Sequence, residues 1–201
     1  MKTRIAVLVS GGGTNLKALI DAQGKILNSG EIVLVVANNA SAYALERAKK
    51  AGIDTAVVLK KECGSQAAFE TKLKEVLDAH GVQLIILAGF MTILTERFTS
   101  AYPKRILNVH PSLIPSFCGE GFYGLKVHEE ALRYGVKVTG ATVHFVNEIP
   151  DGGEIIAQKA VYIEPGDTPE VLQRRVMEQA EWILLPQAAE AVSASIKEET
   201  K

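Results

Sequence analysis

Three short segments carry side chains whose types and spacing could do chemistry. In Asn108-Val109-His110-Pro111-Ser112-Leu113-Ile114-Pro115, residues two apart in an extended chain point to the same face. The amide of Asn108 and the imidazole of His110 then converge on one point. That pair suits acyl transfer, in which a carbonyl carbon is attacked and its oxygen turns negative: the amide donates to the oxyanion and the imidazole donates or relays a proton. A plainer reading also stands, with His110 as a packed or capping residue beside Pro111. The second segment is Ser10-Gly11-Gly12-Gly13-Thr14-Asn15-Leu16. Its glycines let the backbone approach a ligand, and the free N–H groups of a following helix attract an anion. It lacks both the Gly-Lys-Ser/Thr ending of a nucleoside triphosphatase and the spacing of a dinucleotide site, so its natural guest is a small phosphate ester. A tight turn that binds nothing would look the same. The third is Ile149-Pro150-Asp151-Gly152-Gly153-Glu154. Asp-Gly is a common turn signal. If the loop folds over the strand ends, Asp151 instead orients His110 and favours its protonated form.

The elements that must position these groups are legible from the hydrophobic pattern. Ile5–Ser10, Ile32–Ala37, Thr55–Leu59, Leu84–Leu87 and Ile106–Val109 are short runs rich in Val, Ile and Leu, as expected of parallel strands buried on both faces. Amphipathic stretches lie between them at Asn15–Asp21, Ala42–Ala51, Ser65–His80 and Thr95–Ala101, with Gly52 and Gly81 placed as helix stops. The second half changes rhythm. Val127–Arg133 reads as a helix ended by Gly135, and Val136–Val146 and Ile155–Ile163 read as two long strands around Asn147–Gly153, an antiparallel extension of the sheet. Thr168 and Pro169 open a long terminal helix through about Ala194, followed by a charged, frayed tail over Lys197–Lys201. The expected fold is α/β: a Rossmann-like, mostly parallel sheet with flanking helices in one domain over residues 1–201. In such sheets ligands bind outside the carboxyl ends of the strands, where the first two segments fall.

Bulk composition narrows the function classes. With 22 basic and 23 acidic residues and a net charge of −1, no electrostatic footprint for a nucleic acid or an anionic membrane is visible. The apolar run after Met1-Lys2-Thr3-Arg4 is too short for a signal sequence, and no stretch approaches a membrane span. A cytoplasmic protein is expected. Cys63 and Cys118 stand far apart, without disulfide or zinc spacing and without a nearby base in sequence, so neither a metal site nor a cysteine nucleophile is expected.

Taken together and in this order, the segments resemble the phosphoribosylglycinamide formyltransferase family. The similar stretches are Ser10–Leu16, Leu87-Ala88-Gly89-Phe90-Met91-Thr92-Ile93-Leu94, Leu107–Pro115, and Thr142–Val146 leading into Asp151-Gly152-Gly153. They are spread over nearly the whole chain. The resemblance implies the formyltransferase fold and transfer of a formyl group from 10-formyltetrahydrofolate, as co-substrate, to the amine of phosphoribosylglycinamide in purine biosynthesis, with no metal. It places Asn108, His110 and Asp151 on the family's catalytic trio and Gly12, Gly13, Thr14 and Asn15 on its phosphate-binding turn. It maps the folate site onto Gln66, Met91, Thr92, Ile93 and Leu94, with Asn108, Asp151 and the segment from Val146. Glu181, five residues before Pro186, matches an acid that contacts the amine substrate, although the helix pattern alone reads it as a solvated charge.

The chain also departs from the family. Gln66 and Thr92 stand where some members have arginine, and Phe117–Gly124 is longer than in the shortest relatives, as a surface loop near the site. His128 and His144 fall near family positions as supporting residues. The expected partners are small molecules only, for a monomer or homodimer. A 10-formyltetrahydrofolate hydrolase would carry a further N-terminal domain, and a tRNA formyltransferase a further C-terminal one. A phosphate-sensing module would leave the Asn108–His110 pair unexplained.

Overall fold

The computed structural model describes residues 1–199 and contains a seven-stranded sheet in the order β3-β2-β1-β4-β5-β6-β7. The strands are β1 (Thr3–Val9), β2 (Gly30–Ala37), β3 (Asp54–Val57), β4 (Leu84–Leu87), β5 (Ile106–His110), β6 (Val138–Phe145) and β7 (Ile155–Tyr162). The first five run parallel, and β6 and β7 extend the sheet antiparallel. The mixed sheet expected from the pattern is therefore present. β1 splits its side chains between two cores: Ile5, Val7 and Val9 pack on one face with Leu16, Leu19 and Leu185, and Ala6 and Leu8 on the other with Phe69, Leu73 and Leu77. Both faces being covered explains why these strands are continuous apolar runs.

Helices α1 (Thr14–Ala22), α2 (Tyr43–Lys50), α3 (Lys60–Cys63), α4 (Gln66–Ala79), α5 (Glu96–Thr99) and α6 (Leu125–Tyr134) lie between the strands, and α7 (Pro169–Val176) and α8 (Trp182–Glu199) follow them. The start of α7 is as expected: Thr168 caps it, accepting from the Val171 amide, and Pro169 opens its first turn. Gly52 and Gly81 adopt the left-handed backbone anticipated for helix stops.

Three expectations need correction. The third strand is shorter than Thr55–Leu59, because the chain turns into α3 at Lys60, a single turn with no buried residue and hence no periodic signal. The terminal helix is interrupted by a π turn over Met177–Glu181, a local widening that frequently marks functional sites. It also runs beyond Ala194 to Glu199, held by buried Ile196 and by an ion pair from Arg105 to Glu199. The expected fraying therefore fails for residues 197–199, and Thr200 and Lys201 lie outside the described residues. Among the described residues no helix is long and apolar enough to cross a membrane.

The strand order reverses between β1 and β4, the neighbours from which the chain departs in opposite directions across the sheet. The loops after these strands meet there, where the Ser10 hydroxyl accepts a hydrogen bond from the Met91 amide at 2.8 Å. A crevice at this position is where an open α/β sheet binds its ligand.

Candidate functional site

The glycine turn after β1 is built for close approach. Gly13 takes a left-handed backbone at φ 70°, and a Cβ there would fall 2.6 Å from the Ala44 Cβ. Only glycine fits without displacing α2. Arg47 of that helix donates to the Gly12 carbonyl at 2.8 Å, and the Ala44 amide to the Gly11 carbonyl. α1 then starts at Thr14 with no side-chain cap, leaving its first amides free for an anion.

Asn108 and His110 lie at the carboxyl end of β5 and line a cavity of about 590 Å³ together with Thr14, Asn15, Asp151 and Glu181. The same-face reading of the pair holds. Asp151 reaches them because its loop folds back over the strand ends. Gly153 presses so tightly on β6 that a Cβ would fall 1.7 Å from the Phe145 carbonyl oxygen. Asp151 itself is left-handed at φ 57°, a conformation that Asp tolerates better than most residues. The Asp-Gly-Gly run is thus both a turn and the carrier of a carboxylate.

The trio is closely wired. Asp151 Oδ2 lies 3.3 Å from His110 Nδ1 and accepts from the Gly119 amide at 2.9 Å, while Asp151 Oδ1 is 3.4 Å from Asn108 Nδ2. The opposite imidazole nitrogen of His110, Nε2, faces the Phe117 carbonyl at 2.8 Å. Burial alone would raise the Asp151 pKa, but the His144 and His110 imidazoles and the Gly119 amide outweigh it and hold the carboxyl below its usual range. For His110 the balance goes the other way from the sequence expectation. Burial draws its pKa below the ordinary imidazole value, against the Asp151 carboxylate and the Phe117 carbonyl, with His144 adding to the lowering. His110 is therefore neutral at rest at neutral pH. Both its nitrogens face acceptors, so a second proton arriving there would find a partner.

The two residues expected to be supporting, His144 and His128, also line the cavities. β5 and β6 pair so that Asn108 sits opposite His144, next to a register shift in the β6–β7 ladder. His144 Nδ1 is 2.7 Å from the Phe145 carbonyl, and its Nε2 lies 3.2 Å from the Asn108 amide nitrogen. The same Nε2 lies 3.5 Å from Asp151 Oδ1. His128 in α6 is fully buried on the 590 Å³ cavity, with neither ring nitrogen hydrogen-bonded. Burial, aided by the neighbouring His110 imidazole, pushes its pKa down to about 4. A buried polar group without a partner costs about 1–3 kcal/mol.

Glu181 is not the solvated charge of the bare helix pattern. The π turn buries it beside Ala180, where it accepts from Asn15 Nδ2 at 2.8 Å, and burial pushes its pKa up to about 7 against that hydrogen bond. Asn15 Oδ1 is left buried and unpaired.

A second, narrower cleft of about 130 Å³ opens beside Asn108, between Met91–Leu94 and Val146–Asp151. All four residues of the first segment line it. Thr92 is tied back by Asn38, which donates to its hydroxyl at 2.8 Å. Contrary to its expected place in the folate site, Gln66 lines neither cavity, because its amide is turned to the backbone behind the cleft, donating to the Ile93 carbonyl at 3.0 Å and to Glu70 at 2.7 Å. The long loop forms a wall of the larger cavity through Gly119–Gly124. Its Cys118 thiol, pushed up in pKa by burial and by Asp151, donates to the Pro115 carbonyl and remains free, as does Cys63. Among the described residues no group of three or more His, Cys, Asp or Glu is arranged to hold a metal ion.

Comparison with known proteins points the same way. A family model described as formyl transferase matches residues 3–188. The phosphoribosylglycinamide formyltransferase of Haemophilus influenzae is 43% identical over 176 residues, covering 88% of this chain and 81% of that protein. The trifunctional purine biosynthetic protein adenosine-3 of Gallus gallus is 47% identical over 193 residues, covering 96% of this chain but 19% of that protein. This chain thus spans about a fifth of the trifunctional relatives it matches. The crystal structure of glycinamide ribonucleotide transformylase 1 from Symbiobacterium toebii superposes with a TM-score of 0.90 at 42% identity, covering 96% of this chain and 89% of that one.

Proposed function

The chain belongs to the formyl transferase family, and from that premise we propose that it transfers the formyl group of 10-formyltetrahydrofolate to the amine of phosphoribosylglycinamide, a step of purine biosynthesis. The observation that carries this reading is the convergence of Asn108, His110 and Asp151 at the junction of two cavities, one leading to an anion-ready turn and the other a narrow cleft. The phosphate sits on the turn from Gly12 to Asn15, and Glu181 takes the glycinamide end. The folate occupies the cleft along Met91, Thr92, Ile93 and Leu94, with Gln66 fixing that segment.

The uncharged amine attacks the formyl carbon directly. The new C–N bond forms as the carbonyl oxygen becomes an oxyanion, and the bond from carbon to the folate nitrogen then breaks. The proton shed by the amine ends on that nitrogen. Asn108 and His110 stabilise the oxyanion, for which their N–H groups exchange their resting acceptors, the His144 nitrogen, Asp151 and the Phe117 carbonyl. Asp151 supports positive charge on His110 as it forms and positions the water that carries the proton. The proposal includes no metal step and no nucleic-acid or membrane partner. It places the reaction in the cytoplasm, in one domain acting as a monomer or homodimer.

The test is an absorbance assay of tetrahydrofolate release, run with and without the amine. Release that requires phosphoribosylglycinamide is the expected result. Equal release in both cuvettes would make the protein a hydrolase, and none in either would remove the enzymatic reading.

A further inference from the structure

His128 is the one imidazole among the described residues with neither nitrogen hydrogen-bonded. His80 and His144 contact backbone carbonyls, and His110 lies between the Phe117 carbonyl and Asp151. Its ring is fully buried near the start of α6, yet it lines the cavity that also holds Asn15, His110 and Glu181. A second buried polar atom without a partner, Asn15 Oδ1, lies on the same cavity. Orphaned groups of this kind are rare in folded proteins unless a ligand or an ordered water completes them.

We propose that His128 is a binding residue for the acceptor substrate, pairing with a neutral group of that molecule that both donates and accepts a hydrogen bond. The inference rests on the reaction proposed above. Its chemical class follows from the ring. A neutral imidazole offers one donor and one acceptor, and burial keeps this one neutral by pushing its pKa down to about 4. A phosphate offers mainly acceptors and an ammonium only donors, so neither complements it. A hydroxyl or an amide does. In phosphoribosylglycinamide that means the ribosyl hydroxyls or the glycinamide amide.

The experiment is steady-state kinetics of the full chain and its variants, with folding checked by thermal melting. His128→Leu should raise KM for phosphoribosylglycinamide about tenfold or more, matching one lost hydrogen bond and an unpaired substrate group, while KM for the folate stays within twofold. His128→Asn or His128→Gln should recover most of the loss, because each retains a donor and an acceptor. If His128→Leu does not fold, His128→Met replaces it. An acceptor analogue lacking the ribosyl hydroxyls separates the two sources: a penalty that vanishes with it assigns the hydroxyls, and one that persists assigns the amide. An unchanged acceptor KM in the apolar variant would mean that a buried water completes the ring, and would overturn the inference. So would an equal rise in both KM values. Wild-type protein with no transfer activity would instead defeat the parent reading.

Discussion

The proposed catalytic trio and the proposed acceptor wall face one cavity and are built in opposite ways. Asn108, His110 and Asp151 find partners within the protein: an imidazole, a backbone carbonyl, a backbone amide and one another. Across from them, Asn15 keeps an orphaned oxygen, His128 an orphaned ring, and Glu181 a carboxyl buried with one hydrogen bond. Preorganisation therefore differs by task. In the proposed reaction, groups that must meet a short-lived oxyanion are held in place beforehand, because fixed dipoles need no reorganisation as charge develops. Groups that recognise a stable substrate are left for that substrate to complete. The largest effect should come from breaking the wired side. Asp151→Asn keeps a residue that tolerates the left-handed backbone while removing the charge, and should lower kcat roughly a hundredfold or more. His110→Ala should do the same. Melting temperatures within a few degrees of the wild type would locate both losses in chemistry, and a near-normal kcat in either variant would remove that residue from the trio.

The acceptor wall should declare itself in stability rather than turnover. His128 titrates at about 4 in the fold against an ordinary 6.5, so its contribution is complete above pH 6.5 and is lost as pH falls through 4. Glu181 titrates at about 7 against an ordinary 4.5, so its contribution is complete below pH 4.5 and is lost as pH rises through 7. Each window amounts to about 3 kcal/mol. Because the two windows overlap with opposite signs, the two contributions should nearly cancel between pH 4.5 and 6.5 in the wild type. Denaturant unfolding across pH 4–8 should show His128→Leu losing stability as pH rises towards 7 and Glu181→Gln losing it as pH falls towards 4. Parallel curves for wild type and both variants would mean that neither group is buried as the geometry has it.

What the sequence makes legible follows the same divide. The parallel strands, the Thr168-Pro169 helix start and the Asn108–His110 pair are local: period, cap chemistry and alternation operate over a few residues. The antiparallel extension was readable from two long runs around a turn. The wiring was not. His144 meets Asn108 through the pairing of β5 with β6, and the groups that hold His110 and Asp151 are the backbone carbonyl of Phe117 and the backbone amide of Gly119, invisible to side-chain patterns. Glu181 misleads because a π turn shifts the helical phase that a regular 3.6-residue period assumes. The lowered pKa of the resting His110 was not readable for a further reason: a neighbouring carboxylate can be inferred from a motif, but the depth of burial that outweighs it belongs to the whole fold.

Two smaller changes test whether the cavities are separate. Gly13→Ala would drive a methyl group into Ala44 in a backbone region that strains alanine, costing about 1–2 kcal/mol. It should raise KM for the phosphorylated amine about tenfold, by a comparable loss of phosphate contact, with the folate KM unchanged. Gln66→Ala is the converse and the mildest. It deletes a neutral hydrogen bond to the Ile93 carbonyl at the rim of the narrow cleft, about 1 kcal/mol, and should raise the folate KM about fivefold without touching the amine. The side chain reaches only the backbone behind the cleft, so the effect must travel through the position of Met91–Leu94. Because Gln66 also donates to Glu70, whose carboxylate accepts from Thr95, Glu70→Gln should produce the same folate-side shift. A change in amine KM in Gln66→Ala would show that the two cavities move as one, and the contrast between a wired centre and a waiting wall would then describe a single coupled surface.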